Sequence, residues 1–130
     1  MKSNKTNNMK EEIKSIKGFP DYHISNLGIV YTTKISPRYN QNGEMKVLRP
    51  RIHPSGYLYA GLFLGKGPNK KRIWKRIHRL VYEAFAGKIK SGLQIDHIDG
   101  NKHNNVISNL RQVTHSENCQ AAWDRKLGRV

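Results

Sequence analysis

The stretch Leu93-Gln-Ile-Asp96-His97-Ile-Asp99-Gly100-Asn101-Lys-His103-Asn104-Asn105-Val-Ile-Ser-Asn109-Leu110-Arg-Gln-Val-Thr114-His115-Ser-Glu117-Asn118 decides how this chain folds. Leu93 to Ile98 can form a strand, Asp99-Gly100 marks a turn, and Leu110 to Thr114 makes a partner strand. Thr114 and Glu117 have the spacing of a capping box, which opens a last helix through about Lys126. The module reads strand, long polar loop, strand, helix. Between Asp96 and Asn118 it gathers a carboxylate, an adjacent imidazole and several carboxamides. That set is too polar for a core and too regularly placed for a random loop.

Upstream, Ile77, Leu80, Val81, Ala84 and Phe85 recur at helical spacing and Gly87 follows as a stop, predicting a short amphipathic helix over about 76–86. Tyr57 to Leu64 is the strongest strand candidate, with Gly65 to Lys70 as a turn and Lys71 to Ile77 as a candidate returning strand. Tyr57, Tyr59 and Phe63 share one face of that strand and Leu58, Leu62 and Leu64 the other, and most of these are expected in the core. At least one of Trp74 and Tyr82 is expected against the sheet. From Gly18 to Leu64, short apolar runs such as Tyr22 to Ile24 and Ile29 to Tyr31 are punctuated by turn residues, which favours antiparallel strands. Met1 to Lys17 carries five lysines against Glu11 and Glu12, so a flexible basic arm is expected over 1–12, with order beginning near Ile13.

The 130 residues have room for one domain or two small ones sharing a core. An excess of 24 Lys and Arg over 9 Asp and Glu gives a formal charge of +15, which points to a polyanionic partner, DNA or RNA. No apolar run approaches the roughly 20 residues of a membrane-spanning helix, and the start of the chain lacks the apolar segment of a secretory signal. With Cys119 alone there is no intramolecular disulfide and no cysteine-based zinc site, which fits a reducing intracellular compartment. Cys119 itself is expected as a small buried apolar residue.

Phosphodiester hydrolysis needs an activated water, a cation that neutralises charge on the phosphate and leaving oxygen, and rigid geometry between them. Adjacent strand residues point to opposite faces, so Asp96 and His97 serve one site only if the strand ends or twists there, as the Asp99-Gly100 turn allows. Asn118 falls in the first turn of the capped helix, where its side chain can face back toward the strand pair. One carboxylate and one carboxamide oxygen are hard ligands that suit Mg²⁺ or Mn²⁺ rather than tightly bound zinc.

Leu93 to Trp123 closely resembles the HNH endonuclease motif, in the version found in phage-borne and intron-borne homing endonucleases that nick DNA. Ile16-Lys-Gly-Phe-Pro-Asp-Tyr-His-Ile-Ser-Asn-Leu-Gly-Ile-Val30 resembles the small NUMOD4-like module that often precedes that motif, and Ile77-His-Arg-Leu-Val-Tyr-Glu-Ala-Phe85 resembles the joining helix. The resemblance implies an α+β fold: a β-rich module over 13–90, with its linking helix, packed on a ββα-metal (His-Me finger) module over 91–130. It implies that His97 is the general base, that Asp96 and Asn118 are the two protein ligands of one Mg²⁺ or Mn²⁺, and that Asn109 hydrogen-bonds the loop and holds the histidine in place. Twelve residues from His97 to Asn109 and nine more to Asn118 fit the motif's spacing. It further implies a DNA endonuclease that leaves a 5′-phosphate and a 3′-hydroxyl, nicks one strand per copy, and acts in the cytoplasm of a phage's host cell. Monomer and homodimer both remain open. Ala122 stands where several family members carry a further metal-binding histidine, which implies modest metal affinity. No C-terminal DNA-reading module of the kind that homing relatives append follows, so recognition of a long site is not expected.

Lys66, Lys70, Lys71, Arg72, Lys75, Arg76, Arg79, Lys88 and Lys90 form the densest basic stretch, with Glu83 the only acid between them. The first seven, with His103, are the expected phosphate contacts. His115 is expected at phosphate or in solvent. Asn101, Asn104 and Asn105 are expected to shape the loop, because Asn side chains hydrogen-bond nearby backbone. The competing reading is a non-catalytic nucleic-acid-binding or inhibitor protein of phage origin that uses the same fold as a basic surface. Asp96 and His97 side by side argue against it.

Overall fold

Turn residues cut the first half of the chain into short antiparallel strands, and the second half into a helix, a hairpin and a second helix. The computed structural model describes residues 10–65 and 67–128; most of the expected arm, and Lys66, lie outside the described residues. The strands are β1 (Ile13–Ile16), β2 (Phe19–Ser25), β3 (Val30–Thr32), β4 (Lys46–Val47), β5 (Arg51–Ile52), β6 (Leu58–Leu64), β7 (Lys71–Arg76), β8 (Gln94–His97) and β9 (Leu110–Val113). Helix α1 spans Ile77–Phe85 and α2 spans His115–Lys126. The sheets have the orders β1-β2-β3-β4, β5-β6-β7 and β8-β9, and the fold is α+β.

Helix α1 sits at the hub. It follows β7 directly, with Arg76 in extended conformation at its N-cap, and its buried Ile77, His78, Leu80 and Val81 form one stripe. That stripe joins Ile24 and Val30 of the first sheet, Leu62 of the second, and Ile95 and Leu110 of the hairpin in a single hydrophobic cluster. All three sheets therefore share one core. Lys10 and Glu12, the last part of the expected arm, are held in place as well: Asn26 donates from Nδ2 to the Lys10 carbonyl (3.0 Å), and its Oδ1 accepts from the Glu12 amide (2.9 Å). The Ile107 amide donates to the Asn26 carbonyl (2.9 Å), so the β2–β3 turn also buttresses the polar loop between β8 and β9.

The β6–β7 register pairs Tyr59 with Arg76, Gly61 with Trp74 and Phe63 with Arg72. Alternation sends Ala60 and Leu62 inward, both at 0 % exposure, and leaves the aromatic face outward. Tyr57, Tyr59 and Phe63 are thus half-buried rather than core, because only one face of this antiparallel sheet is packed. Trp74 remains 41 % exposed, whereas Tyr82 packs partly buried against the core. Trp74 lies over Gly61, where a Cβ would come within 2.9 Å of the indole ring. Among the described residues no helix is long and apolar enough to cross a membrane.

Candidate functional site

The β8–β9 hairpin opposes Asp96 to Arg111 and His97 to Leu110, and the loop that joins its strands is held by its own short polar side chains. Asp99 Oδ1 accepts from the Asn101 amide (2.8 Å) and Asn109 Nδ2 (2.9 Å), while Oδ2 accepts from Asn104 Nδ2 (2.8 Å). Asn109 also donates to the Asn104 carbonyl (2.9 Å), and its Oδ1 accepts from the Asp99 amide (3.0 Å). Burial pushes the Asp99 carboxyl up, but the bonds from Asn104, Asn101 and Asn109 outweigh it and hold the group below its usual range.

His97 is buried, with Nε2 2.7 Å from Asn105 Oδ1. A carboxamide oxygen only accepts, so His97 carries its proton on Nε2 and its lone pair on Nδ1. The histidine's direct partner is therefore Asn105, itself buried, while the side-chain bonds of Asn109 run to Asp99 and Asn104. Asn101 and Asn104 shape the loop; Asn105 holds the imidazole instead. Burial lowers the His97 pKa, opposed by the Asn105 bond and the nearby Asp96 charge. The His78 ring lies 5.1 Å from His97 and stacks on Tyr57 at 5.1 Å. Burial, reinforced by the charges of His97, Arg76 and Arg79, pushes His78 down to about 3, so at neutral pH it is an uncharged wall.

Asp96, His97 and Asn118 line one cavity of about 230 Å³, together with Tyr57, Lys102 and Arg125. Asp96 is buried and doubly paired. Arg111 Nε and Nη2 each lie 3.0 Å from its Oδ2, and Arg125 Nη2 lies 3.3 and 3.4 Å from Oδ1 and Oδ2. Asn118 Nδ2 donates to Gln94 Oε1 (2.8 Å), which leaves its oxygen as the donor atom for a cation. The capping box that orients this helix is complete: Thr114 Oγ1 accepts from the Glu117 amide (3.1 Å), and Glu117 Oε1 accepts from the Thr114 amide (2.8 Å). Among the described residues no group of three or more His, Cys, Asp or Glu is placed to hold a metal. A single carboxylate with a carboxamide oxygen fits a hard divalent cation that keeps water or substrate oxygens in its other positions. Cys119 is exposed and lines the same cavity, contrary to its expected burial, because no residue of α2 is buried.

The sheet's pleat divides the basic stretch. Arg72 lies over Phe63 (4.6 Å) and Trp74 (5.3 Å), Arg76 over Tyr57 (5.3 Å) and Tyr59 (5.7 Å), and Lys70 over Phe63 (4.9 Å). Lys71 and Lys75 occupy the opposite pleat, with Lys75 over Phe19 (5.9 Å). Arg79 is exposed on α1 and His103 is exposed in the loop. The outer face gains Arg51, which approaches Trp74 to 5.3 Å, and Lys102, 4.6 Å from Tyr57 at the cavity rim. Sequence reasoning missed Arg51, His78, Lys102, Asn105, Arg111 and Arg125. Only Arg111 carried a local signal, its cross-strand register with Asp96.

Residues 75–120, which run from β7 into α2, match the family model of the HNH endonucleases. The chain is 39 % identical over 115 residues to the DNA endonuclease I-HmuI of Bacillus phage SP01, covering 88 % of this chain and 59 % of that protein. It is 32 % identical over 106 residues to the H-N-H endonuclease F-TflII of Escherichia phage T5, covering 80 % and 48 %. A solved structure of DNA binding and cleavage by the HNH homing endonuclease I-HmuI superposes with a TM-score of 0.67 at 38 % identity, covering 88 % of this chain and 59 % of that one. The chain thus spans about half to three fifths of the length of these relatives. The hairpin, its polar loop and the start of α2 all lie within the matched stretch, and the chain belongs to the HNH endonuclease family.

Proposed function

We propose that the chain is a DNA endonuclease of the nicking, homing type, hydrolysing one phosphodiester bond with His97 as general base and one Mg²⁺ or Mn²⁺. The observation that carries this reading is the convergence of Asp96, His97 and Asn118 on one cavity, with the imidazole proton committed to Asn105. His97 Nδ1 takes a proton from the attacking water, whose oxygen bonds to phosphorus as the bond to the 3′-oxygen breaks. The departing 3′-oxygen takes a proton from solvent, so the products are a 5′-phosphate and a 3′-hydroxyl. Asp96 and Asn118 would hold the cation, which when bound neutralises the phosphate and the departing oxygen. Asn105 and His78 fix the imidazole plane, and Asn109 holds the loop through Asp99. Because burial lowers the His97 pKa, the base stays neutral below the ordinary 6.5, and cleavage should fall only at a pH beneath that value.

The outer face of β5-β6-β7 supports DNA as the substrate. From Tyr57 to Phe63, about 20 Å at roughly 3.3 Å per strand residue, it presents alternating rings and guanidiniums that lead away from the cavity rim. This length matches about six base steps of a duplex at 3.4 Å each. Arg51, Arg72, Arg76 and Lys102 are the cations it offers to the phosphate backbone, with Lys70 at its far end. The test is incubation of supercoiled plasmid with Mg²⁺ or Mn²⁺, with EDTA and His97→Ala controls. Metal-dependent conversion to nicked circles, absent in the variant, is expected. Intact plasmid despite tight, salt-sensitive binding would instead favour the non-catalytic reading.

A further inference from the structure

The two arginines on Asp96 are not equivalent. Arg111 comes from the neighbouring strand in direct register with Asp96 and sets both Nε and Nη2 at 3.0 Å from the same oxygen, Oδ2. It does not line the cavity. Arg125 does line it, along with Asn118. Its Nη2 straddles Oδ1 and Oδ2 at the longer distances of 3.3 and 3.4 Å and donates a shorter bond, 2.9 Å, to the His97 carbonyl. Its stem rests on Gly100, which has φ +78°, and a Cβ there would come within 2.6 Å of Arg125 Cδ. Arg125 lies beyond residues 75–120, the stretch matched by the family model.

We infer that Arg125 is a positioning residue that competes with the divalent cation for Asp96, its guanidinium covering on the cavity side the carboxylate oxygens that a cation held between Asp96 and Asn118 must take. This rests on the metal-dependent reading above. A buried carboxylate without a counter-charge is costly, so some cation must sit on Asp96 whenever the hairpin is folded. Arg111 supplies a fixed one from the strand side. Arg125 supplies a second whose contacts with the carboxylate are long, and whose bond to the His97 carbonyl keeps it at the cavity when the carboxylate is taken. A cation held at the cavity would contend with Arg125, which lines it, and not with Arg111, which does not. The protein thereby lowers its own metal affinity, and Arg125 displaced from Asp96 would stay at the cavity through its bond to the His97 carbonyl.

The experiment is calorimetric titration of the full chain with Mn²⁺ in the absence of nucleic acid, at fixed ionic strength. Wild type is compared with Arg125→Gln, Arg125→Lys, Arg111→Gln and Asp96→Asn. Arg125→Gln should bind Mn²⁺ about tenfold more tightly, Arg125→Lys within about threefold of wild type, and Asp96→Asn should lose the binding. Arg111→Gln removes the same charge from outside the cavity and should not tighten it. Unchanged or weaker Mn²⁺ binding in Arg125→Gln would overturn the inference, provided its circular dichroism and cooperative melt are native. Equal tightening in Arg111→Gln would overturn it too, because only general charge repulsion would then be at work. Should Arg125→Gln not fold, Arg125→Met, which keeps the stem over Gly100, gives the same comparison. If Asp96→Asn leaves Mn²⁺ binding unchanged, or neither wild type nor Arg125→Gln shows any, the metal reading itself fails and this inference with it. Binding lost in Asp96→Asn but unaltered in Arg125→Gln sinks the inference alone.

Discussion

The loop between β8 and β9 and the outer face of β6 and β7 are both polar, yet they are built by opposite rules. The loop uses the shortest polar side chains, Asp99, Asn101, Asn104, Asn105 and Asn109, joined by bonds of 2.7 to 3.0 Å. The face uses long guanidinium and ammonium side chains stacked on rings at 4.6 to 5.7 Å. Short side chains lose little conformational entropy when they are fixed, so the loop can hold an imidazole to the tolerance that proton transfer requires. Long cations keep some freedom and follow a phosphate backbone whatever its sequence. The proposed function therefore places chemistry and grip in separate parts of one small fold.

That division can be broken experimentally. The largest effect is expected for His97→Ala: cleavage should fall by about 10²–10⁴-fold while DNA affinity in EDTA stays unchanged. A matching loss of affinity would mean that the loop also grips. Asn109→Ala removes three side-chain hydrogen bonds to Asp99 and Asn104 and should destabilise the fold by about 2–3 kcal/mol in urea denaturation. Trp74→Ala, on the exposed face, should cost about 1 kcal/mol. Equal losses would erase the contrast between a rigid region and an adaptable one.

Salt dependence sharpens the comparison within the basic stretch. Arg72→Gln with Arg76→Gln should lower the slope of log affinity against log salt by about two units, and Lys71→Gln with Lys75→Gln by less than about one. The reverse order in a fluorescence-anisotropy series would move the DNA track to the other pleat. A pH effect concerns His78. Its folded pKa of about 3 lies below the ordinary 6.5, so the unfolded chain binds the proton first. Its contribution to stability is intact above pH 6.5 and is lost as pH falls from there toward 3, at no more than about 1.4 kcal/mol per unit. His78→Asn should flatten that part of the denaturation profile, and an unchanged profile would show that another group governs it.

Much of this architecture was legible residue by residue. Thr114 and Glu117 form the capping box that their spacing announced, and the helix and strands expected from Tyr57 onward appear within one or two residues of their expected ends. The two-residue strands β4 and β5 were not legible, since each exists only through its partner on β3 or β6. At the site, the expected Asp96, His97 and Asn118 do line one cavity. Asn105, expected as a loop former, proved to be the histidine's partner, because nothing in a run of asparagines says which one folds inward. The outward aromatic face was missed for a different reason: alternation identifies two faces of a strand without saying which is covered.

The sequence by itself determined the order of the elements, the polar loop with its residue spacings, the net positive charge and the family. Those properties are local or additive, being set by backbone preferences, side-chain chemistry and separation along the chain. Only the tertiary structure decided that His78 backs His97, that Arg125 reaches Asp96 across 29 residues, and that the strand face carrying Arg72, Trp74 and Arg76 is the one left without a packed layer. Each of these depends on how α1, α2 and the sheets close around one core, and the free energy that sets those positions belongs to the packed whole rather than to any segment.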